Sequence, residues 1–265
     1  VIDMLGAIIG DIVGSRFEFR NNKSKEFELF NNKCTFTDDT VMTLAIAKSV
    51  LNAKEDYSDL SYQSVKSMQE MARKYSRAGY GMRFIQWMLS SNPKPYNSFG
   101  NGAAMRVSAI GFIANTIDET IDLSRKVTEV THNHPEGIKG AEATSVSIFL
   151  AKNGYKINEI RDYIDKHYYK LDFKLDDIRE SYKTDETCQG TVPQAITAFL
   201  ESTDFEDAIR NAISIGGDSD TIAAITGGIA EAYYGVPVEI RENALKYLDE
   251  NLKSILLEFE NNFSD

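Results

Sequence analysis

Gly216-Gly217-Asp218-Ser219-Asp220-Thr221 runs without a break into Ile222-Ala223-Ala224-Ile225-Thr226. Two glycines lead into two carboxylates spaced two apart, and a hydroxyl follows at once. No Lys or Arg lies inside the hexapeptide. The residues after it are small, alanine-rich and helical in pattern, so the motif sits where a glycine turn enters a helix. Carboxylates crowded in this way repel one another unless a cation or shared protons intervene. Oxygen ligands of this type suit a hard divalent ion such as Mg²⁺ or Mn²⁺. The plainer reading is helix capping by Asp220. A cap needs one acidic or hydroxyl residue and not three, which tilts the motif towards a metal site.

Thr37-Asp38-Asp39-Thr40 lies far upstream and repeats the arrangement: two carboxylates between hydroxyls, no neighbouring base, a helical pattern straight after. Two such clusters in one chain fit a divided site for one or two hard cations, closed by the fold.

The intervening pattern is helical. Leu5, Ile8, Ile9 and Ile12 recur at helical spacing across 4–13. Gly6, Gly10 and Gly14 form a second stripe, which predicts close approach of another backbone because glycine otherwise weakens a helix. Asp11 beside that stripe is either a surface acid or a residue behind a metal site. Helices are predicted from Val41 to Leu51, from Leu60 to Ala78 (ended by Gly79), and from Ser98 to about Ala114. A capping box at Thr116–Glu119 starts another. Gly140–Leu150 is helical, and 157–182 reads as peripheral helices. Pro193 is expected to open a helix, and Asp204 to cap the next. The last helix has Ala244, Leu248, Leu252, Ile255 and Phe259 as its seam. No alternating run of strands is present. The expectation is all-α: a single domain over 1–265 with roughly a dozen helices of ordinary length.

The chain has 265 residues, 42% of them hydrophobic, enough for a sizeable core. Its net charge of −11 makes it a poor electrostatic partner for nucleic acid or an anionic membrane. Cys34 and Cys188 match no zinc spacing and read as ordinary thiols of a reducing compartment. There is neither a signal-peptide pattern nor an apolar run long enough to span a bilayer. The expected state is a cytoplasmic monomer. Val1-Ile2-Asp3 stand before Met4, as an upstream start or an appended remnant.

Three further features carry chemistry. Ser98-Phe99-Gly100-Asn101-Gly102 precedes a helical pattern, where backbone N–H groups can face an anion. Arg106 after it binds phosphate or forms a structural ion pair. Thr131-His132-Asn133-His134-Pro135 holds two of the three histidines; a hydrogen bond to a substrate hydroxyl or phosphate competes with a plain helix-terminal histidine, and a zinc pair is disfavoured. Phe17-Glu18-Phe19 sets a carboxylate between aromatics, followed by an Asn-rich run to Lys33. The segment Gly14–Lys33 reads as a mobile lid with a short strand in it.

In this order the motifs resemble the ADP-ribosylglycohydrolase family, which includes dinitrogenase reductase-activating glycohydrolase, over nearly the whole chain. They are Gly10-Asp11 with Gly14 and Glu18; Phe36-Thr37-Asp38-Asp39-Thr40; Ser98–Gly102 through Met105-Arg106; Thr131-His132; and Gly216–Thr221 with Gly227, Tyr233, Tyr234 and Gly235. The resemblance implies an orthogonal helix bundle with two adjacent Mg²⁺ or Mn²⁺ ions in a cleft. It implies metal ligands at Thr37, Asp38, Asp39, Asp218, Asp220 and Thr221. Glu18 matches a glutamate proposed for acid–base chemistry, and with Asp38 and Asp220 makes the candidate catalytic set. Ser98, Gly100, Asn101, Gly102 and His132 match positions that hold the phosphates and ribose of ADP-ribose, and Phe99 a position for stacking on adenine. No motif in 152–187 can be matched.

The implied reaction is hydrolysis of an ADP-ribosyl N- or O-glycosidic bond, on ADP-ribose derivatives or ADP-ribosylated substrates. The rivals are a two-metal nucleotide pyrophosphohydrolase and a non-catalytic ADP-ribose-binding protein. A pure binder gains little from placing so many carboxylates beside a diphosphate.

Overall fold

The computed structural model describes residues 4–263, so Val1-Ile2-Asp3 lie outside the described part. Fourteen α-helices account for its regular structure: α1 (Gly6–Gly14), α2 (Asp38–Asn52), α3 (Leu60–Lys74), α4 (Met82–Leu89), α5 (Ser108–Ile113), α6 (Ile117–Thr128), α7 (Pro135–Lys152), α8 (Ile157–His167), α9 (Leu175–Ile178), α10 (Cys188–Leu200), α11 (Phe205–Ile213), α12 (Ser219–Tyr234), α13 (Val238–Leu245) and α14 (Glu250–Phe263). The all-α expectation holds; among the described residues the sole β pairing is an isolated bridge between Gly100 and Thr187.

The helix after the glycine motif, α12, lies at the centre. Every residue from Ser219 to Glu231 is buried, and so is all of α1. The glycine stripe explains the pairing. A Cβ on Gly6 would lie 2.2 Å from the Gly227 carbonyl oxygen, and one on Gly10 only 2.0 Å from that of Ala223. Neither position admits any side chain, so the backbones of α1 and α12 pack directly on each other. Glu231 fastens the crossing: its carboxylate accepts from the N–H groups of Leu5 and Gly6 at 2.9 and 2.7 Å, satisfying donors at the start of α1. The result is that Asp11 on α1 is delivered beside the acidic N-terminal turn of α12.

Several local expectations are corrected. Pro193 lies in the second turn of α10 instead of opening it; Thr187 is the cap, accepting from Gly190 N, and the proline merely lacks one donor there. Residues 98–106 do not form a helix: Asn101–Ala103 is a single 3-10 turn, and α5 starts at Ser108. The seam is not one helix: Ala244 lies in α13, Leu248 in the connection, and Leu252, Ile255 and Phe259 in α14. The helix ended by Gly79 stops at Lys74, and α4 was not foreseen. No strand occurs in 23–33 among the described residues, and the segment is pinned rather than loose. Lys23 Nζ donates to the carbonyls of Arg179, Tyr182 and Ile215 at 2.6, 2.9 and 2.6 Å. Arg210 donates to the carbonyls of Lys25 and Phe27, and Lys25 pairs with Asp207. No helix of the described residues is long and apolar enough to cross a membrane.

Candidate active site

The turn into α12 puts Gly216 and Gly217 at φ 71° and 77°, where only glycine is unstrained. The Tyr182 ring closes over Gly217, so a Cβ there would lie 2.4 Å from Cε1. Asp218 takes the N-cap position with no side-chain capping bond, and Asp220 lies inside the first turn. Capping therefore does not explain either carboxylate.

At the start of α2, Thr37 is the cap and Asp38 and Asp39 fill the first turn. Asp11, fully buried, grips this end of α2. Its carboxylate accepts from Thr37 N at 2.8 Å, Thr37 Oγ1 at 2.7 Å, Thr40 N at 3.1 Å and Thr40 Oγ1 at 2.5 Å. The two acidic stretches meet where Thr221 Oγ1 donates to Asp39 Oδ2 at 3.2 Å.

Two groups of three carboxylates result, Asp11–Asp39–Asp220 and Glu18–Asp218–Asp220, each with oxygens mutually within 4.8 Å. Asp220 belongs to both. Among the described residues no Lys or Arg pairs with any of these acids or with Asp38. Burial, reinforced by mutual repulsion, raises the pKa of Asp39 and Asp220 well above the ordinary range. Burial also raises Asp11 against its four hydrogen bonds, and lifts Asp38 to about 7. Glu18, half-buried, is likewise raised to about 7 by desolvation and then by Asp218. Asp39 Oδ1 is buried with no hydrogen-bond partner. An unsatisfied oxygen in an all-oxygen donor set fits hard divalent cations.

A cavity of about 520 Å³ joins these acids to the glycine loop. It is lined by Glu18, Asp38, Asp39, Asp218, Asp220 and Thr221, and also by Tyr96, Ser98, Gly100, Asn101, Gly102, Arg106, His132 and Glu186. Arg106 is fully buried, and in place of the ion pair considered from sequence it donates to Val127 O at 3.0 Å and Thr131 Oγ1 at 2.8 Å. Burial lowers its pKa only to about 10, so it stays cationic at neutral pH.

Three sequence-chosen residues have contacts that the sequence did not show. Thr37 is not among the residues lining the cavity; its hydroxyl donates to Asp11 at 2.7 Å and accepts from Asp39 N at 3.3 Å, which leaves one oxygen lone pair free. Asn101 lines the cavity and donates its amide hydrogens to Thr191 Oγ1 at 3.1 Å and Asp218 Oδ2 at 2.6 Å, so it also braces Asp218 from the glycine loop. Phe99 lies outside the cavity lining, 41% exposed, with its ring 5.0 Å from that of His134. His134 itself caps α7, accepting from Glu136 N.

Sequence reasoning missed Glu186, which lines the cavity, and Tyr182, which covers Gly217. Both come from the stretch read as peripheral or unmatched. The Tyr182 hydroxyl donates to Gly190 O, and Asn101 N donates to Glu186 O at 2.7 Å, so this connection folds back onto the glycine loop. Tyr80, Phe84 and Tyr96 also line the cavity without any sequence signal beyond being aromatic.

The family model for ADP-ribosylglycohydrolase matches residues 4–263. ADP-ribosylhydrolase ARH3 of Xenopus tropicalis is 27% identical, over 93% of this chain and 91% of that protein. ARH3 of Homo sapiens is 25% identical over 88% and 84%. ADP-ribosylarginine hydrolase Tri1 of Pseudomonas putida is 27% identical over 88% and 70%. A solved ADP-ribosylglycohydrolase-related protein complex superposes with TM-score 0.69 at 22% identity, covering 97% of this chain and 95% of that one, and so shares the fold. With the two carboxylate groups and the glycine loop enclosed in one cavity, and with a match that spans both, the chain belongs to the ADP-ribosylglycohydrolase family.

Proposed function

We propose that this chain is a metal-dependent hydrolase that releases ADP-ribose from an N- or O-glycosidic linkage. The observation that carries it is that one cavity holds the clustered carboxylates and, beside them, the glycine loop with His132 and Arg106. Asp38, Asp39, Asp218 and Asp220, with the hydroxyls of Thr37 and Thr221, would hold two Mg²⁺ or Mn²⁺ ions. When bound, these would supply Lewis-acid polarisation of ribose hydroxyls and of a water molecule.

The chain's own groups do the rest. The crowded carboxylates favour positive charge developing on the ribose ring in an oxocarbenium-like transition state. Glu18 is the proton carrier: its desolvation, the largest cause of its raised pKa, disfavours the ionised form and suits it to give a proton to the leaving group. Asp11 holds the end of α2, and Asn101 holds Asp218, so both act as positioning residues. The phosphates belong over Ser98, Gly100 and Gly102, near His132 and the buried charge of Arg106. The whole chain acts as one domain, with the site complete in a single copy. A cytoplasmic monomer fits two buried, unpaired cysteines.

The test is incubation with Mg²⁺ and a panel of Arg-, Ser- and phosphate-linked ADP-ribose substrates, with product analysis. Free ADP-ribose is the expected product. AMP would mean pyrophosphate cleavage, and binding without turnover would reduce the chain to a binder.

A further inference from the structure

His132 is buried, and one face of its surroundings is the glycine loop. A Cβ added to Gly102 would lie 3.5 Å from His132 Nε2, and one added to Gly100 3.8 Å. Nε2 thus addresses the part of the cavity where a ligand passes close to the loop backbone. Whether it can donate or accept there depends on the proton of the opposite nitrogen.

That nitrogen, Nδ1, lies 2.6 Å from Thr131 Oγ1. The same hydroxyl accepts from Arg106 Nη2 at 2.8 Å. Thr131 has one proton to give and two possible receivers, His132 Nδ1 and Thr128 O at 3.4 Å. Thr128 O already accepts the backbone N–H groups of Thr131 at 3.2 Å and His132 at 2.9 Å, which occupy its two lone pairs. The hydroxyl proton therefore goes to Nδ1.

We infer that Arg106, Thr131 and His132 form a relay, Arg106 Nη2–H to Thr131 Oγ1–H to His132 Nδ1, that fixes His132 as the neutral Nε2–H tautomer and makes it a dedicated donor to a ligand oxygen. Arg106 and Thr131 are positioning residues: neither need touch the ligand. The charge of Arg106 is undiluted by any carboxylate, since its Nε and Nη1 have no hydrogen-bond partner. That charge polarises the threonine hydroxyl towards the ring. It also opposes a second proton on the imidazole: burial, then Arg106 and Arg83, hold the His132 pKa well below its usual value. A phosphate or ribose oxygen then meets a donor that does not change with pH across the neutral range.

The relay rests on the proposed placement of ADP-ribose, but its first readout does not. In ¹⁵N-labelled, ligand-free protein the imidazole of His132, identified by comparison with His132→Ala, is expected to show a pyrrole-type Nε2 and a pyridine-type Nδ1. The opposite assignment, or a ring that protonates between pH 6 and 8, overturns the inference without any variant. Thr131→Val removes the hydroxyl at nearly constant volume, and Thr131→Ser restores it. The valine variant should lose the single-tautomer spectrum and raise KM for an ADP-ribosylated substrate about ten- to a hundredfold with kcat little changed, the scale of one hydrogen bond to a charged group. The serine variant should recover both. Equal KM in valine and wild-type enzymes overturns the relay. Failure of the wild-type protein to bind ADP-ribose, with the tautomer as expected, removes the proposed ligand instead.

Discussion

Thr221 Oγ1 donates to Asp39 Oδ2 across 182 residues of sequence, closing the two acidic stretches into one site. Around this bond Asp220 is the carboxylate common to both groups of three. Asp220→Ala should therefore lower kcat/KM about a hundredfold or more while helicity by circular dichroism is retained. Asp218→Ala should do the same. Full activity in either variant, or in wild-type enzyme kept in EDTA, would remove the metal site from the reaction.

The same crowding predicts how the metal-free protein responds to pH. Asp38 and Glu18 have folded-state pKa values raised to about 7, above those of an unfolded chain. A raised carboxylate binds its proton more tightly when folded. Its contribution to stability is complete below the unfolded pKa and is lost as pH rises through the folded one. Melting temperature in EDTA should thus fall between about pH 5 and about pH 8, and Mg²⁺ should restore most at the alkaline end. A flat profile, or a metal effect larger at acid pH, would contradict the electrostatic reading.

Glu18→Gln separates chemistry from support. The side chain is half-buried and shares its surroundings with Asp218 and Asp220. Losing the carboxylate should reduce kcat about a hundredfold. With saturating Mg²⁺ the melting temperature should barely move, whereas in EDTA above pH 7 it should rise because an ionised, partly desolvated carboxylate is gone; ADP-ribose should still bind. Metal content must be measured on the same sample, because Glu18 stands within reach of the cation site. Near-wild-type kcat at saturating Mg²⁺ would take Glu18 out of the mechanism.

Two glycines should fail in opposite ways. A Cβ on Gly102 meets nothing closer than 3.5 Å, so Gly102→Val should fold. Its branched side chain would occupy ligand space beside His132 and weaken ADP-ribose binding by calorimetry, with metal binding intact. A Cβ on Gly10 would fall 2.0 Å from the Ala223 carbonyl oxygen between two packed backbones. Gly10→Ala should cost about 3 kcal/mol in denaturant unfolding, near the top of the overpacking range. A stable Gly10→Ala protein would mean that α1 and α12 are not held as described.

The sequence by itself determined the helical class, the two acidic stretches, the glycine loop and the close backbone approach forecast by Gly6 and Gly10. These are local properties: a period, a cluster of like charges, a missing side chain. Tertiary structure decided the rest. The bond from Asn101 to Asp218, the bond from Thr37 to Asp11, the placement of Phe99 against His134 and the arrival of Tyr182 and Glu186 all depend on contacts between residues remote in sequence. A hydroxyl or an amide has the same local signature whether it faces a ligand or a neighbouring carboxylate. The lid expected from Gly14 to Lys33 shows this most plainly. Its polar, Asn-rich composition signals a loop, but no local pattern reveals that the ammonium of Lys23 is held by three carbonyls more than a hundred residues away.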